Sequence, residues 1–215
     1  MTARTRIKIC GVSRPEDVAA AVDAGADAIG LVFYPGSPRH VSLEHAVLLA
    51  RELPPYVTPV GLFVNAEAQT IAAAAAAIPN LVLQFHGDES AAACAASGRP
   101  FLKAARMAPG FDLLDFARRF SKAQGLLLDA HVEAYGGSGK VFDWSLVPRG
   151  VPHRLVLSGG LHAGNVGSGI LEVRPWAVDV SSGVESARGV KDAAAIRAFC
   201  DAVREADSRI DASTS

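Results

Sequence analysis

Residues 6–33 read RIKICGVSRPEDVAAAVDAGADAIGLVF and contain two short apolar runs on either side of an alanine-rich segment. The runs at 6–10 and 27–33 predict β-strands, and the segment at 14–24 predicts a helix. The strands carry apolar residues on both faces, which is typical of a parallel sheet covered by helices. The stretch therefore predicts a β-α-β unit whose first strand ends at Cys10.

Residues at the helix ends support this prediction. Ser13 stands at the expected N-cap of the first helix, Pro15 lies early in its first turn, and Glu16 follows three residues after the cap. Ser42 is expected to cap the second helix in the same way. Gly25 follows the first helix, at the position just beyond a helix end where glycine is common.

The same alternation continues along the chain. Strands are predicted at 6–10, 27–33, 58–64, 81–85, 101–106, 125–129, 154–158 and 176–181, and helices at about 14–24, 43–52, 67–77, 89–97, 111–121, 163–171 and 192–206. Eight strands in 215 residues predict an α/β fold, a single-domain (β/α)8 TIM barrel; the alternative is an open doubly wound sheet. The barrel is expected to span residues 1–205, with a polar, frayed tail at 206–215.

Composition and charge exclude several classes of protein. The chain has 21 Lys and Arg against 22 Asp and Glu, so its overall field does not attract nucleic acid or an anionic membrane. The apolar run at 71–78 is too short to span a bilayer, and the N-terminus has no long apolar signal segment. The 3 cysteines have no CxxC spacing and the 6 histidines have no metal-binding spacing. We therefore expect a cytoplasmic protein without a metal site.

Two candidate catalytic residues stand at the ends of predicted strands. The active site of a TIM barrel lies at the carboxyl ends of its strands. Cys10 ends the first strand and Asp129 ends the sixth, so a thiolate and a carboxyl group at one barrel mouth predict an acid–base pair. The alternative is that Cys10 is a small buried hydrophobic residue, as expected for Cys94 and Cys200, and that Asp129 caps the loop after it.

Glycines and serines follow the last two strands. Gly159 and Gly160 come after strand seven, and Ser181, Ser182 and Gly183 come after strand eight. Backbone N–H groups and hydroxyls in such loops bind phosphate, and TIM barrels often bind phosphate at this position. The alternative is a pair of tight turns. The loops predict a phosphorylated small-molecule ligand.

Three other loops carry residues of interest. Arg39 lies in a loop stiffened by Pro35 and Pro38, where a guanidinium suits a carboxylate ligand; the alternative is a solvated charge. His86, after the fourth strand, is expected to line the pocket or to orient a neighbouring group. The glycine-rich loop at 136–141 lacks the residues of a P-loop and is interpreted as a mobile cover over the site.

Seven motifs together resemble the phosphoribosylanthranilate isomerase family of tryptophan biosynthesis. They are KICG, FYPGSPRHV, GLFVN, QFHG, LLLDA with GGSGKVFDW, LSGGLHAGNV, and VDVSSGVE with GVKD, and they occur in this order from about residue 6 to 200. This chain departs from the family pattern after the strand-seven glycines. It has His162-Ala163-Gly164 where the family is expected to have Asn-Pro followed by an acidic residue, but it keeps Asn165 and Val166.

The resemblance implies an activity and residue roles. It implies an Amadori rearrangement of N-(5-phosphoribosyl)anthranilate, without cofactor or metal, by a monomer or a homodimer. Cys10 would be the general base and Asp129 the general acid. Arg39 would recognise the anthranilate carboxylate, and the loops at 159–160 and 181–183 would hold the phosphate.

Two other functions stay open on the residues alone. The barrel isomerase of histidine biosynthesis performs the same type of rearrangement. It is expected to carry a pair of aspartates, at the ends of strand one and of strand five or six, so Cys10 at the end of strand one argues against this function. A non-catalytic sensor of phosphoribosyl ligands would keep the phosphate loops and lose the acid–base pair.

Overall fold

The computed structural model describes residues 4–130 and 142–212, and its strands and helices alternate along the chain. The strands are β1 (Arg6–Cys10), β2 (Ala28–Val32), β3 (Thr58–Phe63), β4 (Val82–Phe85), β5 (Phe101–Met107), β6 (Gly125–Ala130), β7 (Arg154–Leu157), β8 (Ala177–Val180), β9 (Glu185–Ala187) and β10 (Val190–Lys191). The helices are α1 (Pro15–Asp23), α2 (Leu43–Arg51), α3 (Ala68–Ala77), α4 (Ala91–Ala95), α5 (Leu113–Arg119), α6 (Val166–Val173) and α7 (Ala193–Ala212).

Strands β1 to β8 form a closed parallel barrel in chain order, with β8 paired to β1. This closure confirms the predicted (β/α)8 TIM barrel and excludes the open sheet. The register places Lys8 opposite Asp179, Cys10 opposite Gly30, and Arg106 opposite Asp129.

Side-chain alternation along each strand separates two apolar regions. The larger core lies between the barrel and its helices and includes Ile7 and Ile9 of β1 together with Phe199 of α7. A smaller cluster, which contains Leu127 of β6 and Ala177 of β8, fills the barrel interior. Polar residues two positions further along these strands therefore also point into the barrel, towards its carboxyl end.

Helix caps agree with the sequence in part. Ser42 accepts a hydrogen bond from the backbone N–H of His45, as predicted, and Gly25 lies just beyond α1 with a φ of 83°. The predicted N-cap at Ser13 is wrong by one residue, because Pro15 occupies the first helical position and Arg14 becomes the N-cap. A residue before proline is driven into an extended conformation, and Arg14 has a ψ of 150°.

The predicted tail is wrong up to residue 212. Helix α7 continues to Ala212, so the predicted boundary at 205 lies inside it. Asp207 accepts hydrogen bonds from the backbone N–H and the hydroxyl of Thr5, at 2.8 and 2.7 Å. The polar character of this segment therefore reflects a contact with the start of β1.

Within 4–130 and 142–212, no helix is long and apolar enough to cross a membrane. The same residues contain no cluster of three or more His, Cys, Asp or Glu side chains that could hold a metal ion.

Candidate active site at the carboxyl ends of the strands

Cys10 is buried at the end of β1, where its thiol faces the backbone of β2. A Cβ atom added at Gly30 would lie 2.6 Å from the Cys10 sulfur, so the absence of a side chain at Gly30 makes room for the thiol. Burial raises the pKa of Cys10, and the nearby Lys8 ammonium opposes that rise. The thiol therefore lies in a site where burial and a cation have opposite effects on its ionisation.

Lys8 and Asp179 form a buried ion pair beside Cys10. The Lys8 Nζ atom lies 2.7 Å from Oδ1 of Asp179, and both side chains are about nine-tenths or more buried. Burial alone would lower the pKa of Lys8, but Asp179 and Cys10 raise it above its ordinary value. Lys8 is therefore an ammonium ion inside the barrel, although the sequence analysis did not select it.

Asp129 is the second-last residue of β6, one position before the strand end, and contacts His86, which directly follows β4. The His86 Nε2 atom lies 2.9 Å from Oδ2 of Asp129, and the other oxygen accepts a hydrogen bond from the Ala130 N–H. Behind the imidazole, the amide of the fully buried Gln84 lies 3.3 Å from His86 Nδ1. Of the two roles predicted for His86, orienting a neighbouring group is the one that this contact supports.

Arg39 is held by a carboxylate of the protein itself. Its Nε and Nη2 atoms donate to the two oxygens of Glu185 at 2.6 and 2.8 Å. Lys191 also donates to Glu185, at 2.8 Å, and to the carbonyl oxygen of Ser181, at 3.0 Å. Burial would raise the pKa of Glu185, but the hydrogen bonds from Arg39 and Lys191 lower it, so Glu185 is ionised.

The two loops predicted to bind phosphate touch each other. Gly159 and Gly160 have φ values of 81° and 64°, a left-handed conformation that favours glycine. A Cβ atom at Gly183 would overlap the carbonyl oxygen of Leu161, so this glycine allows the strand-eight loop to pack on the strand-seven loop. The backbone amides of both loops therefore belong to one region of the barrel mouth.

Asn165 closes the strand-seven loop despite the altered residues before it. Its Oδ1 atom accepts from the His162 N–H at 2.8 Å, and its Nδ2 atom donates to the Gly160 carbonyl at 2.9 Å. Helix α6 begins after this turn, at Val166. The side chain of Asn165, which the chain keeps from the motif, supplies the hydrogen bonds that fix the loop.

The structure brings the predicted residues into two groups. Arg39 lies against Gly11, next to Cys10, because a Cβ at Gly11 would overlap the Arg39 side chain. Asp129 adjoins the strand-seven loop, since a Cβ at Gly159 would lie 2.8 Å from Asp129 Oδ1. The predicted cover at 136–141 lies outside the described residues.

Sequence reasoning missed five charged or polar residues of the site: Lys8, Gln84, Asp179, Glu185 and Lys191. Three of them, Lys8, Gln84 and Asp179, had a detectable pattern. Lys8 and Asp179 interrupt strands that are otherwise apolar, and Gln84 of β4 stands two positions before His86. A buried charge requires a partner, so a lysine and an aspartate in two covered strands could have been paired.

Comparison with known proteins agrees with the site. The family model for N-(5'phosphoribosyl)anthranilate (PRA) isomerase matches residues 7–202. The N-(5'-phosphoribosyl)anthranilate isomerase of Methylibium petroleiphilum is 71% identical over 210 residues, which cover 98% of this chain and 99% of that protein.

Solved structures give the same result. The crystal structure of phosphoribosyl anthranilate isomerase from Thermotoga maritima is 42% identical with a TM-score of 0.85, covering 94% of this chain and 99% of that one. A phosphoribosyl anthranilate isomerase in complex with reduced 1-(o-carboxyphenylamino)-1-deoxyribulose 5-phosphate is 39% identical with a TM-score of 0.79, at the same coverage. The chain therefore belongs to the N-(5'-phosphoribosyl)anthranilate isomerase family.

Proposed function

We propose that the protein converts N-(5-phospho-β-D-ribosyl)anthranilate to 1-(2-carboxyphenylamino)-1-deoxy-D-ribulose 5-phosphate, the third step from chorismate in L-tryptophan biosynthesis. Membership of the isomerase family supports the reaction. The observation that carries the assignment is the position of the Asp129 carboxyl group, which lies between His86 and the Gly159 loop at the barrel mouth. We expect the enzyme to act in the cytoplasm without a cofactor.

Asp129 is the proposed general acid. It gives its proton to the furanose ring oxygen, and the ring C–O bond breaks to leave a protonated Schiff base. A neutral imidazole has one donor and one acceptor nitrogen. His86, at 2.9 Å, can therefore accept a hydrogen bond from protonated Asp129 or donate one to its carboxylate. The hydrogen bond between His86 and Asp129 can therefore be kept both before and after proton transfer.

Cys10 is the proposed general base. Its thiolate removes the proton from C2′ of the Schiff base, and the electron pair of that bond neutralises the iminium to give an enolamine. The enolamine then tautomerises to the ketone. In each turnover Asp129 loses one proton and Cys10 gains one, and exchange with water restores both groups.

The two anionic ends of the substrate match two regions of the site. The touching loops at 159–160 and 181–183 are proposed to bind the phosphate through backbone N–H groups and the hydroxyls of Ser181 and Ser182. Arg39 is proposed to bind the anthranilate carboxylate. Glu185 occupies its Nε and Nη2 atoms, so the substrate carboxylate is expected to approach Nη1.

The test is a fluorescence assay that follows the loss of phosphoribosylanthranilate made in situ. Cys10→Ser and Asp129→Asn should each lower kcat by about 10²–10⁴-fold, because general acid–base groups typically contribute that much. The loss should appear mainly in kcat, since neither group is asked to hold the ground-state substrate. Circular dichroism checks that both variants are folded. A folded Cys10→Ser enzyme that keeps more than about a tenth of kcat would assign Cys10 to packing alone.

A further inference from the structure

The buried pair of Lys8 and Asp179 lies directly beside the proposed base. Lys8 and Cys10 are two positions apart on β1, so both side chains point into the barrel. Asp179 lies opposite Lys8 in the register of β8 and accepts its hydrogen bond at 2.7 Å. The ammonium group of Lys8 also acts on the Cys10 thiol: its charge favours the thiolate, and the thiolate in turn raises the pKa of Lys8.

Packing alone gives no reason for this pair. Two charges buried in a protein interior lose hydration, and well-packed apolar residues of similar volume are often as stabilising as the ion pair. The interior of the same barrel is filled elsewhere by apolar residues such as Leu127 and Val156. A charged pair next to a thiol is therefore better explained by an effect on that thiol.

We propose that Lys8 is a positioning residue for the base: its ammonium group, held in place by Asp179, donates a hydrogen bond to the Cys10 sulfur and stabilises the thiolate. The role of this thiolate in turnover rests on the proposed function. Lys8 keeps its own proton throughout. The thiolate takes the C2′ proton, and the resulting neutral thiol remains beside the ammonium until exchange with water.

The charges around Cys10 determine the sign of the effect. Burial raises the pKa of the thiol and Asp179 raises it further, whereas Lys8 and Lys191 lower it. Arg39 also lies near Cys10, with Glu185 on its guanidinium. Of these charges, Lys8 has the largest effect, so its loss should leave burial less opposed and move the thiol titration to higher pH.

The experiment compares Lys8→Met with the parent protein in a Cys94→Ala/Cys200→Ala background. Both of these cysteines are buried, and burial raises their pKa values to about 11, so they would overlap the titration of interest. Ultraviolet absorbance of the thiolate is recorded against pH, with the corresponding Cys10→Ser protein as the blank. The midpoint for Cys10 should rise by about one unit or more in Lys8→Met.

The rate should follow the titration. A rise of one unit lowers the thiolate fraction, and with it kcat at neutral pH, by about tenfold. The rising limb of kcat/KM against pH should move to higher pH by the same amount. An unchanged midpoint in folded Lys8→Met would overturn the proposal. The titration midpoint of Cys10 is measured without substrate, so its outcome does not depend on whether the parent protein has isomerase activity.

Lys8→Met leaves Asp179 buried without a partner and could therefore fail to fold. A second variant covers that case. Lys8→Met/Asp179→Asn removes both charges. Because Lys8 affects the thiol more strongly than Asp179, the double variant should keep an upward shift of the midpoint and a lowered kcat. A double variant with the parent midpoint and kcat would mean that the pair serves the fold alone.

The matched control is a second buried ion pair in the same barrel. Lys103 of β5 lies 3.0 Å from Glu89, and both side chains are more than nine-tenths buried. Lys103→Met/Glu89→Gln removes a comparable pair away from Cys10. It should lower the free energy of unfolding while leaving the Cys10 midpoint unchanged. If this control shifted the Cys10 midpoint as much as Lys8→Met does, the effect of Lys8 would come from a general loosening of the barrel, and the proposal would be wrong.

Discussion

Arg39 has a fixed orientation because Glu185 holds two of its three guanidinium nitrogens. Glu185 is itself held by Lys191, whose side chain is fully buried. Three charged groups thus form a chain from the loop after β2 to the hairpin of β9 and β10. The substrate carboxylate would meet a guanidinium that is already oriented, which reduces the entropy lost on binding.

Arg39→Ala should lower kcat/KM by about ten- to a hundredfold, because a hydrogen bond to a charged group contributes roughly 1.5–3 kcal/mol. Arg39→Lys should recover only part of that loss, since one ammonium group lacks the planar fork that serves Glu185 and a ligand together. Steady-state kinetics of the two variants provide the check. Wild-type kcat/KM in Arg39→Ala would remove Arg39 from carboxylate recognition.

At the scale of single residues, local sequence was sufficient to locate Cys10 and Asp129 near strand ends but not the charges around them. Cys10 and Asp129 were selected because each follows an apolar run; in the structure Cys10 ends β1 and Asp129 lies one position before the end of β6. Lys8 and Asp179 are separated by 171 positions and meet only through the pairing of β1 with β8. The register of that pairing follows from barrel closure, and barrel closure cannot be predicted from a local sequence pattern.

At the scale of elements, the sequence located the eight barrel strands but not the hairpin of β9 and β10. These two strands have three and two residues, too few for an alternating pattern to stand out. Their turn includes Gly189, which has a φ of 82°. The hairpin matters for the site because it carries Glu185 and Lys191.

The strand-seven loop offers a test of phosphate binding. Gly160→Asp should raise KM strongly, since it places a carboxylate where the phosphate is proposed to bind. Gly160→Asn is the matched control: it has the same size without the charge, and asparagine tolerates the left-handed conformation that Gly160 adopts at a φ of 64°. The difference in KM between the two variants measures the charge effect. Equal KM values in both would remove the phosphate from this loop.

On the scale of the whole molecule, the two ends of the chain stabilise each other. The start of β1 lies beside the last helix, where Thr5 is buried and donates two hydrogen bonds to Asp207. Helix α7 also packs against α1 and α6. The sequence suggested a frayed tail because residues after 205 are polar, but their partners lie about 200 positions away (202 for Thr5 and Asp207). Such a long-range contact cannot be predicted from composition alone.

Asp207→Ala should therefore lower the free energy of unfolding by about 1–3 kcal/mol, because it leaves the buried N–H and hydroxyl of Thr5 without their acceptor. Glu205→Ala is the matched control on the same helix: its exposed pair with Arg209 should contribute only about 0.3–0.5 kcal/mol. Urea unfolding followed by circular dichroism measures both. Equal losses in the two variants would mean that the hydrogen bonds to Thr5 do not join the chain ends. Since β1 carries Lys8 and Cys10, a larger loss in Asp207→Ala would tie the last helix to the strand on which the proposed base stands.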